Sequence, residues 1–120
     1  MTQPLSGIRV LDFSTLLPGP MAGLILAEAG AEVIKIERPG FGEEMRHYAP
    51  PFGETSLNFA LLNRGKKSLA LDLKDPAVID KLQPLIAESH VILEQFRPGV
   101  MARLGLGYDD VVKVNPAVVY

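Results

Sequence analysis

The 120-residue sequence has no cysteine and no excess of charge of either sign. The missing thiols exclude disulfides, thiolate metal sites and a cysteine nucleophile, and they suit a reducing compartment. Because 14 acidic residues stand against 12 basic ones, the net charge is −2 and no overall basic field attracts nucleic acid. Any site for an anion therefore has to be built locally.

Long hydrophobic runs are missing as well. The longest apolar stretch, Met21 to Ala27, is far shorter than the ~20 residues that span a bilayer, and the first residues lack the pattern of a secretion signal. Hydrophobic residues nevertheless make up 48% of the chain, which is ordinary for one globular domain with a core. We therefore expect a cytoplasmic protein with no membrane partner and no nucleic-acid partner.

What the chain does contain is an alternation of strand-like and helix-like segments. Strands are predicted over 8–13, 32–37, 68–73 and 90–95, and another begins at 118–120. Helices are predicted over 20–29, 56–62, 76–88, 98–104 and 108–114. Ser56 and Asp75 are expected as N-caps, and Gly30 as a helix stop. The alternation predicts the α/β class, with a Rossmann-like parallel sheet and helices on both faces.

Proline shapes two of these segments. The Pro/Gly-rich stretch 38–55 is predicted as a long loop, and long loops in compact domains tend to be functional. Pro84 is expected to strain or kink the helix over 76–88, because proline lacks an N–H and its ring meets the preceding turn.

The first strand-to-helix turn, from Ser14 to Pro20, lacks the G-x-G-x-x-G pattern of a dinucleotide site. It has one glycine and two prolines, and Pro20 has no N–H to offer a phosphate near the start of the helix. We therefore expect that a nucleotide ligand does not lay its pyrophosphate on this helix.

An arginine follows the acid at the end of the second predicted strand, in the pair Glu37-Arg38. In nucleotide-binding α/β domains an acid here meets a ribose hydroxyl, and the arginine suggests that the ribose carries a phosphate. NADP and coenzyme A both have such a ribose, and the missing glycine pattern favours coenzyme A. The alternative is that Arg38 forms only an exposed ion pair, which contributes little.

Three ordered stretches carry a family resemblance. They are PLSGIRVLDFSTLLPGPMAGLILAEAGAEVIKIERPGFGEEMR (4–46), NRGKKSLALDLKDP (63–76) and ILEQFRPGVMARLGLGYDDVVKVNPAVVY (92–120). Together they resemble the class III CoA-transferases, a family that includes formyl-CoA transferase, the carnitine CoA-transferases and the α-methylacyl-CoA racemases. The resemblance covers essentially the whole chain.

The resemblance implies a Rossmann-like large domain, a small domain and a homodimer of two chains threaded through each other as interlocked rings. Because the chain stops where a strand begins, residues 1–120 are expected to be an N-terminal fragment of the CoA-binding large domain. By the resemblance, the residues that hold coenzyme A are Leu16, Leu17, Arg38, Leu71, Asp72, Leu73, Lys74, Gln95, Phe96, Arg97 and Arg103. Gln95 stands where the family usually has asparagine.

The chemistry of these residue types suits that ligand. Arg38, Lys74, Arg97 and Arg103 offer cations to the phosphates, and the planar fork of arginine matches phosphate oxygens. Leu16, Leu17 and Leu71 would cover the faces of the adenine ring. Simpler roles stay open: a core position for one of Leu71 and Leu73, a backbone acceptor role for Asp72, and a helix-dipole role for Arg103. The basic turn of Arg64, Lys66 and Lys67 is interpreted as solvated.

The resemblance also implies the activity. A transferase of this family moves CoA from an acyl-CoA thioester to a carboxylic acid through an aspartyl intermediate. The alternatives are an acyl-CoA racemase of the same family, which removes and returns an α-proton, and a nucleotide-binding module without chemistry of its own. The catalytic residue is expected beyond Tyr120, so no catalytic residue and no metal site are predicted within this chain. Coenzyme A enters as substrate and acyl carrier.

Overall fold

The computed structural model of the protein describes residues 2–120. In chain order its elements are β1 (Arg9–Asp12), α1 (Pro18–Glu28), β2 (Glu32–Glu37), a 3₁₀ turn (Glu44–His47), β3 (Pro51–Phe52), β4 (Thr55–Ser56), α2 (Leu57–Asn63), β5 (Lys67–Ala70), α3 (Pro76–Ala87), β6 (Val91–Leu93), α4 (Val100–Arg103) and α5 (Tyr108–Val114). Four of the strands form a parallel sheet in the order β5-β2-β1-β6. The short strands β3 and β4 form a separate antiparallel hairpin.

Both faces of the sheet are covered by helices, as the sequence predicts. On one face, Val10 and Val33 pack with residues of α1 such as Leu26. On the other face, Leu11 belongs to the main core, where strand residues meet α3, α4 and α5. Strand residues alternate between these two faces, so neighbouring residues of β1 pack into two different cores.

The strand order places a switch point between β1 and β6. From β1 the chain adds β2 and β5 on one side, and it then returns to add β6 on the other side. Open α/β sheets bind ligands outside the carboxyl ends of the strands at such a point. The strand expected at 118–120 begins to pair next to β6, where the Ile92 N–H donates to the Val119 carbonyl oxygen at 2.9 Å.

The caps predicted from local sequence are confirmed. The Ser56 side chain accepts from the Asn58 N–H at 3.1 Å, and the Asp75 side chain accepts from the Ala77 N–H at 2.9 Å. Gly30 takes a left-handed φ of 105° just after α1, a conformation that glycine adopts at little cost. Helix α1 begins at Pro18, two residues earlier than predicted, because the first turn needs no N–H donors.

Helix α3 continues through Pro84 to Ala87, one residue short of its predicted end; Leu82 and Ile86 are buried in the core and hold this last turn. Other boundaries differ more from the sequence-based expectations. Strand β5 ends at Ala70, three residues early, because the Asp72 side chain accepts from the Lys74 N–H at 3.0 Å and turns the chain. The segment 38–55 is not a plain loop, since it contains the 3₁₀ turn and the β3–β4 hairpin. Across residues 2–120, every helix is too short or too polar to cross a membrane.

Candidate functional site

A groove of about 400 Å³ opens at the carboxyl ends of the parallel strands. Residues that follow each of the four strands line it, including Thr15 after β1, Arg38 after β2, Leu71 after β5 and Phe96 after β6. Its volume lies within the range of small-molecule sites. The groove therefore sits where the strand order predicts a ligand.

Six of the eleven predicted coenzyme A residues line this groove. They are Arg38, Leu71, Asp72, Leu73, Lys74 and Phe96. Arg103 lines an adjoining hollow of about 200 Å³ that shares Leu73 and Lys74 with the groove. Leu17 lies instead in an apolar hollow that is also lined by Met45, Tyr48 and residues of α2. Leu16, Gln95 and Arg97 are not among the residues that line the groove, so the structure does not bring the whole predicted set together.

The cations that the sequence assigns to phosphates carry no ion pair in the described part of the chain. Six of the 12 lysines and arginines pair with carboxylates there. The predicted cations Arg38, Lys74, Arg97 and Arg103 are all exposed and belong to the other six. The alternative that Arg38 forms a surface ion pair is therefore wrong for residues 2–120, and these four charges are available to an anionic ligand.

Arg38 is oriented by its own loop. Its Nε donates to the Gly42 carbonyl oxygen at 3.1 Å, and its guanidinium carbon lies 4.2 Å from the centroid of the Phe41 ring. The Phe41 ring is also stacked on His47, with 3.9 Å between ring centroids. Packing on an aromatic face restricts the rotamers of an arginine side chain. The terminal nitrogens of Arg38 therefore remain to meet a ligand in the groove.

The neighbouring acid Glu37 is held by donors from the protein itself. Its carboxylate accepts from Arg46 Nε and Nη2 at 2.7 Å each, from the Glu43 N–H at 2.9 Å and from the Ser68 hydroxyl. Burial alone would raise the pKa of Glu37, but these donors more than offset it and lower the pKa to about 2. Protein donors therefore already occupy the Glu37 carboxylate, and a contact of this acid with a ribose stays a prediction.

The residues of the first turn of α1, Pro18 to Pro20, offer no free N–H to a phosphate. Pro18 and Pro20 have none, and the Gly19 N–H donates to Gln95 Oε1 at 2.5 Å. A Cβ on Gly19 would lie 2.1 Å from Ser14 Cβ, so the close approach requires glycine. This geometry supports the prediction that a pyrophosphate does not bind at this helix.

Protein side chains hold the turn before α1 from several directions. The Ser14 N–H donates to Asp12 Oδ1 at 2.9 Å, and Lys35 Nζ donates to the Ser14 carbonyl oxygen at 3.0 Å. The Gln95 side chain also donates to the Thr15 carbonyl oxygen. Leu16 has a φ of 64°, which is uncommon for a residue with a side chain. The Leu16 N–H donates to Glu43.

Two buried ion pairs lie beneath α1, and neither of them was predicted from the sequence. Lys66 Nζ lies 2.9 Å from Asp12 Oδ2, and Lys35 Nζ lies 3.1 Å from Glu43 Oε2. The side chains of all four are at most 2% exposed. The interpretation of Lys66 as solvated is therefore wrong: burial lowers its pKa, and the contact with Asp12 partly offsets that change. Gly23 in α1 leaves room for this pair, but a glycine within a helix does not by itself indicate a distant ion pair.

Neighbouring basic residues behave as surface groups. Arg64 pairs with Glu28, and Lys67 pairs with Glu32, which Arg9 also contacts. Asp72 accepts a backbone N–H, as one of its predicted roles requires. Among residues 2–120, no three histidine, aspartate or glutamate side chains are grouped so as to hold a metal ion.

Similarity to known proteins decides the family of the chain. Residues 5–120 match the model of CoA-transferase family III. The chain belongs to CoA-transferase family III. The resemblance carried by the three sequence stretches is thereby confirmed.

Relatives of this family III chain are much longer than it is. Succinyl-CoA:glutarate CoA-transferase from Mus musculus is 44% identical over 119 residues, which are 98% of this chain and 27% of that protein. Acetyl-CoA:oxalate CoA-transferase from Acetobacter aceti is 43% identical over 117 residues, covering 98% of this chain and 30% of the relative. The crystal structure of hypothetical protein Rv3272 from Mycobacterium tuberculosis superposes with a TM-score of 0.91 at 46% identity, covering 98% of this chain and 32% of that one. The chain therefore spans about a third or less of the length of these relatives.

Proposed function

We propose that this chain supplies the part of a CoA-transferase that binds the phosphorylated adenosine of coenzyme A. The observation that carries the proposal is the groove at the carboxyl ends of the strands, with Arg38 and Lys74 at its rim and free of ion pairs within residues 2–120. A groove of this kind attracts an anionic nucleotide although the chain as a whole is slightly acidic.

The lining of the groove fits an adenosine that carries a phosphate. Leu71, Leu73 and Phe96 provide apolar contact for the faces of the base. Arg38 presents its terminal nitrogens to a phosphate on the ribose. Arg103, in the adjoining hollow, and Arg97 extend the positive charge beyond the groove. The contacts of Leu16, Leu17, Asp72 and Gln95 with coenzyme A stay predictions.

The whole protein would move CoA between an acyl-CoA thioester and a carboxylic acid. The names of the relatives favour transfer over racemisation, because those named above act between acyl-CoA thioesters and dicarboxylic acids such as glutarate and oxalate. An aspartyl intermediate, a catalytic residue beyond Tyr120, an interlocked homodimer, a cytoplasmic location and the role of 1–120 as an N-terminal fragment stay predictions from the resemblance.

Binding and turnover by the full-length protein test this proposal together. Calorimetry should show that CoA binds and that NADP does not, and a ligand at 100 times its dissociation constant should stabilise the fold by about 2.7 kcal/mol. Incubation of succinyl-CoA with glutarate or oxalate should give a new thioester that mass spectrometry detects.

The other outcomes separate the alternatives. Binding of NADP without CoA would overturn the assignment of the ligand. Exchange of the α-proton of an acyl-CoA with deuterated solvent, without any transfer, would identify a racemase. Binding of CoA without transfer or exchange would indicate a nucleotide-binding module.

A further inference from the structure

The turn between β1 and α1 depends on a residue that lies far away in the sequence. Glu43, in the segment between β2 and the 3₁₀ turn, accepts a hydrogen bond from the Leu16 N–H across 27 positions of the chain. Glu43 is only 4% exposed, yet it also lines the groove proposed for CoA. This carboxylate thus connects the wall of the groove to the turn that contains Leu16 and Leu17.

The second oxygen of Glu43 forms an ion pair with a buried lysine. Oε2 lies 3.1 Å from Lys35 Nζ and accepts no hydrogen bond from any residue in 2–120. Lys35 Nζ also donates to the Ser14 carbonyl oxygen at 3.0 Å. The pair therefore holds the turn at two points, because the lysine binds a carbonyl oxygen before Leu16 and the glutamate binds the N–H of Leu16 itself.

The position of Glu43 is itself fixed from the sheet. Its backbone N–H donates to Glu37 Oε1 at 2.9 Å, and Glu37 is clamped by Arg46. Hydrogen bonds to both its backbone and its side chain restrict where this buried carboxylate can lie. A non-glycine residue with φ near 64°, such as Leu16, persists only where its surroundings impose that conformation.

We propose that Glu43, held by Lys35, is a positioning residue that fixes the left-handed Leu16 turn in the shape that receives CoA. This inference rests on the proposed CoA site. A buried ion pair is weak evidence for stability, since an apolar pair of similar volume is often as stable or more so. The geometry of the turn, in contrast, depends on an acceptor at position 43.

Two double variants of the full-length protein separate these roles. Lys35→Met/Glu43→Met removes both charges and the acceptor, whereas Lys35→Met/Glu43→Gln removes both charges and keeps an oxygen that accepts from the Leu16 N–H. Both avoid leaving one buried charge without its partner. Glu54→Gln, which removes a charge from the exposed β3–β4 turn, is the control.

Three measurements are made on each protein: the dissociation constant for CoA, amide hydrogen exchange in a peptide spanning 14–19, and the midpoint of thermal unfolding. The Met/Met variant should bind CoA about tenfold more weakly than the Met/Gln variant, as expected for the loss of one backbone hydrogen bond. The peptide should also exchange faster in Met/Met. The affinity for CoA should depend on whether residue 43 offers an acceptor to the Leu16 N–H, and not on the midpoint of thermal unfolding.

Contrary results are distinguishable from a failure of the proposed function. Equal affinity and equal exchange in the two double variants would overturn the positioning role, as would an affinity that follows thermal stability alone. If the wild-type protein does not bind CoA, the proposed function fails. Hydrogen exchange in the peptide 14–19 would then still decide whether Glu43 holds Leu16. The part of the proposal that concerns CoA would fail together with the proposed function.

Discussion

The guanidinium of Arg38 lies over the ring of Phe41, with its central carbon 4.2 Å from the ring centroid. Its Nε is occupied by the Gly42 carbonyl oxygen at 3.1 Å, so the side chain is anchored at one edge and supported on one face. Only the terminal nitrogens are left for a ligand. An arginine held in this way pays less conformational entropy on binding a phosphate than a free one.

The first prediction concerns the phosphate on the ribose. In the full-length protein, Arg38→Ala should weaken CoA about tenfold or more, because a hydrogen bond to a charged group is worth ~1.5–3 kcal/mol. Dephospho-CoA, which lacks the 3′-phosphate, should lose little affinity. Calorimetric titration with both ligands measures the difference. Lys81→Ala, which removes an exposed charge from α3, is the control. Equal losses for the two ligands would show that Arg38 contacts another part of CoA.

The second prediction tests the support of Arg38 by Phe41. Phe41→Leu should weaken CoA about two- to fivefold, since an exposed cation–π contact is worth ~0.5–1 kcal/mol. In an Arg38→Ala background the same change should have no further effect, because the cation that it supports is gone. A double-mutant cycle on the dissociation constants measures this coupling. If Phe41→Leu weakens CoA equally in both backgrounds, the ring acts on the ligand directly.

The third prediction is that alanine in place of Gly23 destabilises the protein, which is the opposite of what helix propensity predicts. Alanine is better than glycine inside a helix by ~1 kcal/mol, but a Cβ on Gly23 would lie 2.7 Å from Asp12 Oδ2 and 2.9 Å from Lys66 Nζ. Because both atoms are buried in an ion pair, we expect Gly23→Ala to destabilise the protein by ~1–2 kcal/mol through overpacking. Gly23→Val should cost more. Urea unfolding measures both, and a more stable Gly23→Ala would contradict the prediction.

Local signals predicted the elements of this fold well. The bounds of β2 and α5 agree with the structure, and Ser56 and Asp75 cap their helices as expected. These features depend on residues within a few positions of one another. The ends of β5 and β6 were predicted too far along the chain, because they are set by turns such as the one closed by Asp72.

Contacts between distant residues were beyond reach of such signals. Lys66 meets Asp12 across 54 positions, and its neighbours Arg64 and Lys67 are exposed, so the local sequence suggested a solvated turn. The candidate site also contains both kinds of feature, those set by local sequence and those set by contacts between distant residues. The residues that directly follow strands, such as Arg38 and Leu71, reach the groove. The Glu43 contact with Leu16 depends on how two separate loops fold together.

The last prediction is a loss of stability in acid that depends on Glu37. Its pKa is lowered from 4.5 to about 2 in the folded protein, mainly by Arg46 and Ser68 acting against burial. A depressed folded pKa means that the stabilisation is complete above pH 4.5 and is lost as the pH falls towards 2. The full effect is on the order of 3 kcal/mol, at 1.36 kcal/mol per unit. Urea unfolding of the full-length protein at a series of pH values measures the slope.

Glu37→Gln should flatten the acid slope of unfolding free energy, because the group that titrates is gone. Glu32→Gln is the matched control: hydrogen bonds from Lys67 and Arg9 also lower the pKa of Glu32, but its side chain is 33% exposed. Solvent weakens such surface pairs, so this variant should change the slope much less. A slope that Glu37→Gln leaves unaltered would mean that Arg46 and Ser68 do not hold the carboxylate ionised. The clamp on Glu37 would then be too weak to fix the Glu43 backbone, whose N–H donates to that same carboxylate.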